Sequence, residues 1–152
     1  MKEKIRLINH SSLYMNFSED LRILTDPWYS GLAFDGGWSL IYENNEVFVK
    51  NLLNKVDYIY ITHEHPDHFS IPFFKKYSEQ LKEKNIKIIF KKNLDKRVEE
   101  FLKKKFNLEI IILENYNTIN INNQNITLIS CGAIDSTLIV ETKSCYHINL
   151  ND

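Results

Sequence analysis

The chain has 152 residues, 43% hydrophobic and 26% charged, a balance ordinary for a soluble globular protein with one domain, residues 1–152, and a real core. A formal net charge of −1 gives no global pull towards nucleic acid or an anionic membrane, and no apolar run approaches the ~20 residues needed to span a bilayer. Met1-Lys2-Glu3-Lys4 carries no signal-peptide pattern, so a cytoplasmic location is expected, in which Cys131 and Cys145 stay reduced.

Lys4 to Ile8 alternates as a first strand and delivers Asn9-His10-Ser11-Ser12. Leu13 to Phe17 and Leu21 to Thr25 read as a β-hairpin or meander, ended by Asp26-Pro27-Trp28, where Asp-Pro favours a turn. Tyr29 to Trp38 holds three of the four glycines, which let a backbone bend close to a ligand. Phe34 and Trp38 in this loop either wall a substrate pocket or cover a sheet edge. Glu46 to Asn54 reads as a short helix, although Val47-Phe48-Val49 would also suit a strand.

Asp57 to Ile61 is rich in aromatic and β-branched residues and reads as a buried strand. Directly after it stands Thr62-His63-Glu64-His65-Pro66-Asp67-His68, with four metal-competent side chains, His63, His65, Asp67 and His68, close together. His63 and His65 would project to one side of the extended chain. Pro66 disfavours helix in the residue before it, so the chain turns and presents Asp67 and His68 from a loop. Zinc accepts such nitrogen and oxygen ligands, for one ion or two neighbouring ones, with iron or manganese as alternatives. The helical motif His-Glu-x-x-His does not fit, because the fifth residue from His63 is Asp67.

Ser70 suits the cap of a helix whose Phe73, Phe74, Tyr77 and Leu81 recur at helical spacing. Ile86 to Phe90 is a strand, and Asn93 opens a further helix with Leu94, Val98, Phe101 and Leu102 on one face. Its lysines alternate with Asp95, Glu99 and Glu100, which fits a solvated face better than a nucleic-acid patch. Strands follow at Leu108 to Leu113, Thr118 to Ile121, Ile126 to Ile129, Ser136 to Glu141 and Tyr146 to Leu150, with Asn122-Asn123-Gln124 as a hairpin turn. Cys145-Tyr146-His147 resembles half of a Rieske motif, but no Cys-x-x-His follows, and these read as ordinary strand residues.

The stretch His63 to His68 resembles the His-x-His-x-Asp-His signature of the metallo-β-lactamase superfamily. The resemblance implies an α/β (α+β) chain, a four-layer αββα sandwich, here mainly its N-terminal half. It also implies that His63 and His65 serve a first metal, that Asp67 and His68 serve a second, and that Asp26 supports the histidine loop. His10-Ser11-Ser12, Leu24 to Trp28, Gly31 to Phe34 and Gly37-Trp38 are similar to the metallo-β-lactamase-like region of CMP-N-acetylneuraminate hydroxylases. They are more loosely similar to the ascorbate-phosphate lactonase and N-acyl-phosphatidylethanolamine phospholipase D branches. Asn149 to Asp152 matches the bridging-aspartate block, with Asp152 as the bridge. The place of the third-block histidine falls near Cys131, whose thiolate is an acceptable substitute ligand. His10 is another substitute or a substrate-binding group.

The resemblance favours a metal-dependent hydrolase that directs an activated water at an ester, lactone or phosphodiester in a small-molecule substrate, with Asp67 orienting that water. The alternative is a non-hydrolytic or degenerate metal-binding scaffold in sugar-nucleotide or surface-glycan metabolism, working beside a redox partner. An RNA-processing nuclease lacks a basic groove to support it. Because the chain ends at the bridging block, either a longer protein or a homo-oligomer that completes the sheet is expected.

Overall fold

The computed structural model describes residues 3–150, so Asp152 lies outside the described residues. Strands β1 (Lys4–Asn9), β2 (Ser12–Ser18) and β3 (Leu21–Thr25) form an antiparallel meander. The loop that follows folds into a two-residue ribbon, β4 (Leu32–Ala33) with β5 (Trp38–Ser39), closed by a single 3-10 turn at Phe34–Gly36.

Helix α1 (Glu46–Leu53) settles the ambiguity at Val47 to Val49, because Asn45 caps it through a 2.8 Å bond from the Phe48 amide to its side chain. The chain then enters β6 (Tyr58–Ile61), α2 (Ile71–Glu83), β7 (Lys87–Lys91), α3 (Arg97–Phe106) and β8 (Ile110–Leu113). These strands run parallel to β3 and complete a six-stranded sheet in the order β1-β2-β3-β6-β7-β8. Arg22 fixes the junction, its guanidinium gripping Asp57 at 2.7 and 2.8 Å at the entrance to β6.

Strands β9 (Thr118–Ile121), β10 (Gln124–Cys131), β11 (Asp135–Glu141) and β12 (Tyr146–Asn149) make a second, antiparallel sheet in the order β12-β11-β10-β9. Asn122 and Asn123, at φ 50° and 64°, form the turn between β9 and β10, while Gln124, expected in the turn, instead opens β10 opposite Ile121.

Strand alternation sorts the apolar residues into two cores. Leu24, Ile59, Ile61, Ile88 and Phe90 face the helices, meeting Val49, Leu53, Phe74, Leu81 and Leu102. Ile23, Tyr60 and Ile89 face the other way, against Ile126, Leu128, Leu138 and Val140 of the second sheet. A strand buried on both sides has no polar alternation, which is why β6 and β7 read as continuous apolar runs. The result is a helix–sheet–sheet stack, the N-terminal half of the αββα arrangement.

One helix differs from its expected form. Leu94 is fully exposed rather than on the buried face of α3. Asp95 ends the preceding loop by accepting the Arg97 amide at 2.8 Å, so the helix starts later than Asn93, and its buried face is Val98, Leu102 and Phe106.

Candidate metal centre

The parallel strands deliver the cluster at the carboxyl end of β6. Asp26, just past the neighbouring β3, accepts the Thr62 amide at 2.8 Å and the Thr62 hydroxyl at 2.9 Å. Its own amide donates to the Tyr60 carbonyl at 3.0 Å. The carboxylate is buried, and its backbone takes φ 39°, outside the usual range for a non-glycine residue. His10, at the matching end of β1, sits at φ 42°. Such conformations persist only where the surroundings hold them, and both border the same cluster.

Past Thr62 the chain turns at Pro66, and the amides of His68 and Phe69 both reach back to the His65 carbonyl, at 3.0 and 2.7 Å. This brings His63 Nε2 to 2.8 Å from His65 Nδ1 and the His63 and His68 rings to a centroid distance of 4.1 Å. His68 Nδ1 lies 3.1 Å from Asp26 Oδ2, which leaves its Nε2 pointing towards Asp67, 3.5 Å from Oδ2. A carboxylate holding the far nitrogen of a ligand imidazole fixes its tautomer and orientation.

His63 is held similarly, with Nδ1 at 3.1 Å from the Thr62 hydroxyl and 3.4 Å from Asp135 Oδ1. Burial pushes the His63 imidazole below its ordinary pKa, and the nearby His68 adds to the effect, so the neutral form is favoured. Neutral imidazole is the metal-binding form. Burial pushes the Asp26 carboxyl up, opposed by its bonds from His68 and Thr62.

The sequence-predicted residues divide into those drawn together and those left apart. His63, His65, Asp67 and His68 converge, and His10 joins them with Nε2 at 3.1 Å from Asp67 Oδ2. Donor atoms of His10, Asp67 and His68 lie within 4.8 Å of one another. Phe34 packs 5.8 Å from the His65 ring, and Trp38 lies 6.3 Å from His10, so the glycine-containing loop borders the cluster.

Cys131 stands apart. It is exposed, on the face of β10 opposite the buried Ile126 and Leu128, with its thiol 3.2 Å from the Thr137 hydroxyl. Its cross-strand partner Asp135 is the residue beside His63, and sequence reasoning did not single it out. The only available signal was an acidic residue four positions beyond the expected third-block histidine.

The donors suit a metal ion. Asp67 is buried, and its Oδ1 has no hydrogen-bond partner among the described residues while imidazoles stand on its other side. A buried carboxylate oxygen left without a donor is costly unless a cation completes it.

A family profile described as a Beta-lactamase superfamily domain matches residues 4–143. The chain belongs to that family. The cytidine monophosphate-N-acetylneuraminic acid hydroxylase of Sus scrofa is 43% identical over 61 residues, 40% of this chain and 14% of that protein. The enzyme of the same name from Cricetulus griseus is 36% identical over 77 residues, 51% of this chain and 13% of that protein. The match thus spans about a seventh of these relatives' length.

Among solved structures, CmlA, described as a diiron β-hydroxylase from Streptomyces venezuelae, superposes with a TM-score of 0.73 at 12% identity, covering 98% of this chain and 29% of that one. The metallo-β-lactamase fold protein YhfI from Bacillus subtilis gives 0.57 at 16% identity, covering 90% of this chain and 52% of that one. These likenesses show the metallo-β-lactamase fold. No helix among the described residues is long and apolar enough to cross a membrane.

Proposed function

We propose that the chain, acting as one domain, holds one or two divalent metal ions and hydrolyses an ester, lactone or phosphodiester of a small molecule. The observation that carries this is the clustering of His63, His65, His68, His10 and Asp67, with His10 and His68 beside Asp67 Oδ2 and the buried Oδ1 left without a hydrogen bond among the described residues. His63 and His65 would hold one ion, Asp67 and His68 a second, with His10 as the substitute ligand and Asp152 as the bridge. Cys131 is a weaker substitute, since its thiol meets the Thr137 hydroxyl and the Ile129 carbonyl rather than the histidines.

A bound zinc, iron or manganese ion would supply Lewis acidity and acidify a coordinated water. The protein's part is positional. Asp26 and Asp135 hold the ring orientations of His68 and His63, and Asp67 would orient the attacking water as well as hold metal. Phe34 and Trp38 exclude solvent from one side and offer an apolar wall to the substrate. A reducing compartment such as the cytoplasm suits the two free, exposed cysteines. Further chain or a second copy would provide the remaining ligands.

The test is metal content per chain after purification without chelator, followed by turnover of a generic phosphodiester and a lactone. About one or two ions per chain that depend on His63 and His65, and that disappear in His63→Ala/His65→Ala together with turnover, are the expected result, whatever metal is held elsewhere on the chain. Metal without turnover on any such substrate would reject the hydrolase. It would favour a metal-binding scaffold in sugar-nucleotide or glycan metabolism, a reading supported by the identity to the hydroxylases over half of this chain. A folded protein without metal would reject both.

A further inference from the structure

Cys145 and His147, ordinary strand residues by their sequence, meet a third donor in the fold. His147 lies on β12 and Cys145 immediately precedes that strand, so the two are close in the chain. His147 pairs across the ladder with Val140, a residue of the inter-sheet core, and its ring packs 4.9 Å from Phe17 of the other sheet. Glu3, which immediately precedes β1, reaches the same point. Its Oε2 lies 2.8 Å from His147 Nε2 and 3.6 Å from Cys145 Sγ, and the thiol lies 3.2 Å from His147 Nε2.

We propose that Glu3, Cys145 and His147 form a separate binding site for a zinc-class cation, clipping the N-terminal segment to the edge of the second sheet. Ligand atoms around a tetrahedral zinc, with bonds of about 2.0–2.3 Å, stand on the order of 3.3–3.6 Å apart. The three distances here fall within about half an ångström of that spacing, so a small outward movement of His147 admits the ion. Thiolate, imidazole and carboxylate together are a donor set that favours zinc over magnesium or calcium.

The position of the thiol is also prepared. Thr142 closes the turn before β12 by donating its amide and hydroxyl to the Cys145 carbonyl, each at 3.0 Å. Ser144, whose hydroxyl donates to Glu3 Oε1 at 3.0 Å, stands beside the trio. Cys145 is exposed, which gives an entry path and room for water as a fourth ligand. The other thiol, Cys131, meets only the Ile129 carbonyl and the Thr137 hydroxyl among the described residues, so it is the natural control.

The competing account is a plain Glu3–His147 hydrogen bond with a bystander thiol, and cobalt(II) distinguishes the two. In a His63→Ala/His65→Ala chain, we expect about one cobalt ion bound with a thiolate-to-cobalt charge-transfer band. Cys145→Ser abolishes the band, Cys131→Ser leaves it, and His147→Ala or Glu3→Gln weakens binding at least roughly 10-fold. Absence of the band, its survival in Cys145→Ser, or its loss in Cys131→Ser overturns the proposal. If the double variant does not fold, zinc content of the otherwise unaltered chain decides. A deficit of about one ion in Cys145→Ser supports the site, and an unchanged content rejects it.

Discussion

At the scale of single residues, Asp26 has the widest consequences. It satisfies the Thr62 amide and hydroxyl and orients His68, all in a buried setting. Asp26→Ala leaves these donors unmatched, and we expect a loss of about 2–4 kcal/mol in denaturant unfolding. The same variant should bind metal roughly 10- to 100-fold more weakly, measured by competition with a chromophoric chelator. The residues that converge were legible because the chemistry was written locally, as His63, His65, Asp67 and His68 within one turn. Asp26 was legible through Asp-Pro and the resemblance. Asp135 was not, because its role comes from the pairing of β10 with β11 and the docking of that hairpin beside His63, which no local pattern encodes.

At the scale of elements, strands and turns with backbone requirements of their own were readable. The Asn122-Asn123 turn needs φ near +60° at both positions, which asparagine tolerates better than residues with larger aliphatic side chains. Asn123→Ala should therefore lower stability by about 1 kcal/mol while Asn123→Gly should not, as read from paired urea melts. The start of α3 was missed because Asn93 and Asp95 both resemble capping residues, whereas the helix begins at Arg97 behind Lys96, which makes no side-chain cap, and Asp95 accepts the Arg97 amide from the preceding loop. The grouping of Cys145 and His147 with Glu3 escaped for a related reason: it spans the first and last strands, and sequence separation hides it.

At the scale of the whole molecule, two sheets and a helical layer share β6, and Tyr60 couples them. Its side chain faces the second sheet and its hydroxyl donates to the Ser136 carbonyl at 2.8 Å. Burial pushes the phenol of Tyr60, and likewise that of Tyr29, above the ordinary tyrosine range. A folded-state pKa raised above the unfolded value of about 10 gives stability that is present below that pH and lost as pH rises beyond it. Unfolding free energy should therefore hold from neutrality to about pH 9.5 and fall above about pH 10. Tyr60→Phe should flatten part of that fall while costing about 1 kcal/mol at pH 7. The layered architecture was legible from alternation and from the superfamily signature. The relative placement of the sheets depends on contacts such as this one. The same seam bears on timing. The Ser136 hydroxyl closes onto the Thr62 carbonyl at 2.8 Å, and Asp135 stands beside His63, so the histidine loop is finished by residues made more than seventy positions later. On the ribosome, His63 to His68 emerge long before the hairpin that steadies them, and an ion captured at that stage would meet mobile imidazoles. The ring orientations that the proposed metal site needs are therefore complete only once the second sheet has docked.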